Sequence, residues 1–405
     1  MAFGMLQSAA APIAVEFGVA SLKALQLEPG EPPSLIAAAC LETPEELRDE
    51  HEARLTHQCE RVGALLKRGG FKGRRVICSI PAPFTLVQHL QLGKAEGVGL
   101  TDQISTHLLT KLNCDPTRLV VRHIEVGDVP SSSGARVEVI CFAVARDMVM
   151  RIMSALRSAR YEVIGMHSEH VALTRGFDRV TKRASDRDYT SMYLDLGAGA
   201  TKIVLARGRQ MMFAKTINVS GRDFDAVVAR ALRCDPAEAR ARRLAMGRDI
   251  PRVAEPTRVA VAKAERVGIA DPGSAGKPVL TEDRRVDAPT PGLTGPMRAE
   301  TPVDDADSMN EPIESLAAEV SMCLRYHERQ FGDRPVGRCI FVGGEARNLT
   351  LCQRLAHRLR LPAQIADPMA CVHKSGKEPT PGVDFNTAQP GWAVAFGLSY
   401  APHNL

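Results

Sequence analysis

Two short segments, far apart in the chain, carry residue types suited to holding a phosphorylated ligand. The first is Ile13-Ala-Val-Glu16-Phe-Gly18-Val-Ala-Ser21-Leu-Lys23, and the second is Met192-Tyr-Leu-Asp195-Leu-Gly197-Ala-Gly199-Ala-Thr201-Lys202. In each, an apolar strand ends on an acid, a loop of glycine and small residues follows, and a second strand returns. Such a turn lets backbone N–H groups approach phosphate oxygens, while Ser or Thr hydroxyls add donors. Ser21, Gly197, Gly199 and Thr201 have that character, and Lys23 and Lys202 add positive charge. A carboxylate at the strand end, Asp195 or its counterpart Glu16, can hold magnesium through the ion's water shell. One such loop alone reads equally as a tight hairpin; its repetition favours a ligand. A third segment, Gly343-Gly344-Glu345, follows the apolar strand Cys339 to Val342. Its missing side chains leave room for a flat base or ribose, although a glycine pair between strand and helix also serves structure alone.

Other chemistry finds less support. Neither GxxxxGK[ST] nor GxGxxG occurs in a fitting context. The 10 cysteines lie singly, without zinc-ligand spacing, and read as small apolar side chains of a reducing compartment. The histidines are dispersed; only His167 and His170 share one-turn spacing, and all read as surface or helix-end residues. Glu169 is either a polarising carboxylate or a helix-start acid, and no aspartate sits in a motif for a catalytic base. Arg240-Ala-Arg242-Arg243 reads as the exposed face of a helix. The balance of 52 Lys+Arg against 47 Asp+Glu is only mildly basic and not clustered, and one Trp, five Tyr and twelve Phe offer few stacking platforms. Nucleic-acid binding is therefore not implied. The apolar start, Met1 to Val15, lacks a basic flank and meets Glu16 before the roughly 20 residues a span requires, so no direct membrane anchor is expected.

The 405 residues, 44% of them hydrophobic, suffice for two or three domains. The spacing of the two glycine loops is too long for a solenoid and suits a duplicated α/β domain, each half opening with a hairpin. The expected layout is a first core subdomain over 10–91 and 146–187, with a small α/β insert at 92–145. A second core subdomain covers 188–225 and 335–402, and between its parts lies a helical subdomain at 226–334. Asp147 starts a helix carrying Val149, Ile152, Met153 and Leu156, and Asp102 starts one carrying Ile104, Leu108, Leu109 and Leu112. Asp235-Pro236 opens a further helix. The stretch 248–308, rich in Pro, Gly, Ala, Asp and Arg, has no hydrophobic period and reads as a disordered insertion.

The order of these pieces resembles the actin, sugar-kinase and chaperone ATPase superfamily, in which two phosphate loops lead two halves and a late glycine pair contacts adenosine. Within it, Val139 to Asp147, Tyr161 to Glu169, Pro236-Ala-Glu238-Ala-Arg240, Leu324 to Gln330, Leu361 to Pro368 and Ala393 to Leu398 resemble the PilM-like proteins of type IV pilus machines, relatives of FtsA. The resemblance implies a duplicated actin-like (ribonuclease H-like) fold that binds ATP and Mg2+ rather than hydrolysing ATP efficiently. Phosphate would lie on Gly18, Ser21, Lys23, Gly197, Gly199 and Thr201. Adenosine would lie on Gly343, Gly344, Glu345 and Glu238, and metal at Asp195 and Glu16. It further implies a cytoplasmic scaffold, peripheral to the inner membrane, that docks the tail of a PilN-like protein and meets the assembly ATPases of a pilus or type II secretion machine. A nucleotide-free docking platform, a sugar or acid kinase, and an FtsA-like division protein are the alternatives. Two departures bear on function: Glu16 stands where such proteins usually have Asp, and Ala198, Ala200 and Lys202 stand where hydroxyl or acidic side chains are common.

Overall fold

The computed structural model describes residues 10–94, 98–113, 115–129, 135–177, 188–246 and 309–404. The insertion expected at 248–308 and most of the polar boundary at Lys182 to Asp188 lie outside them.

The first half begins with β1 (Ile13–Phe17), β2 (Ser21–Glu28) and β3 (Ser34–Glu42), then α1 (His51–Arg68) and β4 (Arg75–Ile80). A small sheet follows, made by β5 (Thr85–Gly93), β6 (Leu119–Val129) and β7 (Arg136–Ala145), with α2 (Leu100–Leu112) between its first two strands. The chain returns through α3 (Arg146–Ser158), β8 (Glu162–Ser168) and α4 (Glu169–Phe177). The second half contains β9 (Thr190–Leu196), β10 (Thr201–Arg207), β11 (Gln210–Ile217), α5 (Gly221–Leu232), α6 (Pro236–Met246) and α7 (Asn310–Gln330). It closes with β12 (Val336–Val342), α8 (Leu349–Leu359), β13 (Ala363–Ile365) and α9 (Ala393–Leu398).

The duplication is written in the topology. The two five-stranded sheets run β3-β2-β1-β4-β8 and β11-β10-β9-β12-β13. In both, an antiparallel three-stranded meander continues into two strands parallel to its first. The central strands are covered on both faces, so β1 and β9 are buried throughout and read as apolar runs instead of alternating. The small sheet, order β5-β7-β6, starts with β5 at Thr85, earlier than the position 92 expected, because β5 pairs along its whole length with β7. On α2, Ile104 and Leu108 are buried as expected, but Leu109 points outward.

The halves meet where α4 crosses α9. Helices approach this closely only with no side chain between them: a Cβ on Gly397 would lie 1.8 Å from Ala172 O, and Gly176 faces the Gly397 Cα. A second joint ties the small sheet to the second half. His89 on β5 bonds Glu138 on β7 at 2.9 Å, Tyr326 on α7 donates to the same carboxylate oxygen at 2.7 Å, and the His89 ring stacks on Phe213 of β11. The histidines read as surface or helix-end residues divide: His170 stands at the start of α4 and His327 in the last turn of α7, but with His167 they are buried, so the surface reading fails for all three.

Candidate functional site

Each glycine loop is a tight turn whose shape the glycines permit. In the β1–β2 turn the Gly18 N–H donates to Ser21 O at 3.0 Å, and in the β9–β10 turn the Gly197 N–H donates to Ala200 O at 3.2 Å. A Cβ on Gly197 would sit 2.6 Å from Ala200 O. The turns also touch each other: a Cβ on Gly199 would lie 2.6 Å from the Val19 side chain. The Thr201 hydroxyl is engaged, donating to Val219 O at 2.6 Å.

The hairpin registers set Glu16 directly opposite Lys23 and Asp195 directly opposite Lys202. Cross-strand neighbours of opposite charge on one face pair with each other, and both do. Lys23 Nζ lies 2.9 Å from Glu16 Oε1 and donates to Gly391 O at 2.6 Å. Lys202 Nζ lies 2.8 Å from Asp195 Oδ2 and 2.5 Å from Glu169 Oε2. Burial works against the Lys202 charge, but Asp195 and Glu169 outweigh it and hold its pKa above the ordinary lysine value. Burial raises the Glu169 pKa, opposed by Lys202. The next residue, His170, is pushed down to about 3 by burial and the Lys202 charge, so it is neutral.

At the third segment, Gly343 has φ +92°, and a Cβ there would meet Leu196 O at 2.3 Å and Asp195 Oδ1 at 2.4 Å. Only glycine fits between β12 and the Asp195 carboxylate. Around Gly344 there is open space. Glu345 turns inward and lies against Gly221 at the start of α5, the turn whose N–H groups donate to Gly197 O and Ala198 O. There it meets Arg243 of α6. Arg243 is 1% exposed, bonding Glu345 at 2.5 Å and Asp225 at 2.7 Å. Burial pushes the Asp225 carboxyl up to about 6 against the pull of Arg243. Burial also opposes the Arg243 charge, but Glu345 and Asp225 overcome it and raise its pKa. Arg243 is thus a correction to the exposed arginine face expected on this helix: it stands one turn after the buried Ala239, on the face of α6 that turns inward, and meets two acids there. Glu238 stays outside this set; its partners are Arg242 and the Asp235 cap.

The expected residues therefore meet, but chiefly as partners of one another. Magnesium demands near-octahedral oxygen coordination and keeps several waters, whereas the space between Asp195 and Glu169 holds an ammonium and Glu16 has its own. Among the described residues, no group of three or more His, Cys, Asp or Glu side chains is arranged to hold a metal ion. The residues present do not fit a divalent cation. Asp225 and Arg243 entered the site unforeseen as ion-pair partners, while Glu169, read as a polarising carboxylate or a helix-start acid, opens α4 and pairs with Lys202. The visible signal was the lysine placed after each loop at the same distance from its acid.

No protein-family model and no curated protein matches this chain. Among solved structures, a chain of the PilM-PilN type IV pilus biogenesis complex is 19% identical with a TM-score of 0.69, covering 97% of this chain and 98% of that one. The fold is the duplicated actin-like one. The ethanolamine utilization protein EutJ from Carboxydothermus hydrogenoformans is 10% identical (TM-score 0.46, 97% and 90% covered). MreB5 of Spiroplasma citri bound to ADP is 11% identical (TM-score 0.44, 96% and 94% covered). Of these three, the PilM-PilN structure alone has a TM-score above 0.5. Among the described residues no helix is long and apolar enough to cross a membrane.

Proposed function

We propose that this protein is a cytoplasmic assembly scaffold of a type IV pilus or type II secretion machine. It docks the tail of a PilN-like inner-membrane protein and presents a further surface to the assembly ATPases. The observation that carries this reading is the end-to-end likeness, small insert included, to a chain of a PilM-PilN complex. Two versions differ in the role of ATP. In one, bound ATP sets the angle between the halves; in the other, the cleft is a fixed support. The second is favoured by the lysines already paired to both loop acids and by the Glu345–Arg243 pair lying against Gly221. Open space beside Gly344 leaves room for a base at the adenosine motif.

The test is fluorescence anisotropy of a labelled peptide carrying the cytoplasmic tail of the PilN-like protein from the same genome, titrated with this protein in ATP and Mg2+ or in EDTA. Equal saturable binding in both is expected. Binding only with ATP would restore the nucleotide-gated version, and no binding in either condition would remove the scaffold reading.

A further inference from the structure

We propose that Lys202 is a tethered cation standing where this cleft would otherwise hold a divalent ion, so that the joint between the halves is closed by an ammonium and is indifferent to metal. The inference rests on the geometry of the loop and is independent of any partner.

Asp195 and Glu169 approach from opposite halves, one at the end of β9 and the other at the start of α4. They are 4% exposed each, and Lys202 Nζ bonds one oxygen of each. Two carboxylates drawn together away from water need a positive charge between them. A hydrated divalent ion supplies it reversibly; a lysine on the neighbouring strand supplies it permanently. The ladder fixes that lysine, because Lys202 stands directly across from Asp195 on the buried part of its strand. Gly343, packed on the other oxygen of Asp195, removes the remaining room on that side. Glu16, Glu169 and Asp195 face Lys23 and Lys202, and Glu16 Oε2 is left buried without a hydrogen-bond partner. That remaining oxygen accepts a single donor such as water and does not amount to a magnesium shell.

The experiment follows Mn2+ binding by the loss of its free-ion spin-resonance signal, alongside thermal unfolding in Mg2+ and in EDTA. The natural protein is expected to bind no stoichiometric Mn2+ and to melt at the same temperature in both solutions. Lys202→Ala leaves Asp195 and Glu169 facing each other; it is expected to gain one Mn2+ site, to melt lower in EDTA, and to recover in Mg2+. Lys202→Arg keeps a tethered cation and stays indifferent. Adding Asp195→Asn to Lys202→Ala abolishes the new site. Should Lys202→Ala not fold in EDTA, refolding with Mn2+ gives the same reading, recovery supporting the inference and failure overturning it. One-to-one Mn2+ binding by the natural protein that is lost in Asp195→Asn also overturns it, as does a folded Lys202→Ala that ignores both metals.

Discussion

Arg243→Met removes the cation shared by Asp225 and Glu345 while keeping much of the side chain's volume. The acids it strands are buried, Asp225 at 8% exposure and Glu345 at 3%. Removing one partner of a buried ion pair costs about 3–5 kcal/mol, because the remaining charge has lost both water and counter-charge. The lower end applies here, since the Asp225 carboxyl already titrates at about 6 and relieves part of the strain by taking up a proton. The expected loss is therefore about 3 kcal/mol near neutral pH, a large share of a total of about 5–15 kcal/mol. Acidification protonates the stranded Asp225 carboxyl, so the deficit shrinks as pH falls toward and below 6. The assay is urea unfolding followed by Trp392 fluorescence, with hydrogen exchange over α5 and α6 because a chain of several subdomains need not unfold in one step. Adding Asp225→Asn and Glu345→Gln to Arg243→Met is expected to recover most of the loss. The reasoning is refuted if Arg243→Met alone stays within about 0.5 kcal/mol of the natural protein, or if the triple variant is no better than the single.

Three further outcomes follow from the packing. His170 has a pKa lowered from 6.5 to about 3, so the folded state binds its proton less well than the unfolded chain. Its contribution is intact above 6.5 and is lost as pH falls toward 3, with a slope approaching about 1.4 kcal/mol per pH unit. Asp225, raised from 3.8 to about 6, acts oppositely, lowering stability as pH rises across that window; urea midpoints across pH should show a weaker acid-side loss in His170→Gln. Tyr326→Phe strips a donor from Glu138, whose other oxygen is already unpartnered, and should cost about 1–3 kcal/mol, seen as faster exchange in β5 and β7. Gly397→Ala drives a Cβ to 1.8 Å from Ala172 O and should cost about 1–3 kcal/mol or more, whereas Gly176→Ala, with nearest atoms at 3.3–3.4 Å, should cost less in the same denaturation assay.

The fold was legible because its evidence is periodic and repeated. Apolar strands carrying Glu16 and Asp195 near their ends, the helix face of α3 and the cap-then-proline start of α6 are local patterns, and all stand where they were read. The site was legible only in its positions. That Lys23 and Lys202 would turn onto the acids and away from a ligand depends on hairpin register, which follows from turn length more than from residue type. Arg243 was misread because one inward residue on a charged helix looks like its neighbours; only the buried acids of α5 and of the segment after β12 reveal its direction. The buried histidines escaped as well: His170 bonds Thr216 of β11 and lies by Phe142 of β7, both distant in sequence, whereas His327 bonds Arg334 O and packs on Phe331 just beyond its own helix.

The duplicated acid–lysine pairs also explain how two similar halves hold one another. Lys23, in the first half, bonds Gly391 O of the second; Lys202, in the second half, bonds Glu169 of the first. Each lysine thus neutralises the acid of its own loop and reaches across the cleft. Both contacts are largely removed from water, where hydrogen bonds to charged groups are stronger and unpaired charges costlier. Opening the cleft would separate Lys202 from Glu169 and Lys23 from Gly391 together, whereas the exposed Arg222–Asp49 bridge at its rim contributes little. The closed arrangement therefore carries two charged contacts across the cleft that the chain itself supplies. The tethered ammonium groups bridge the halves from within the chain itself.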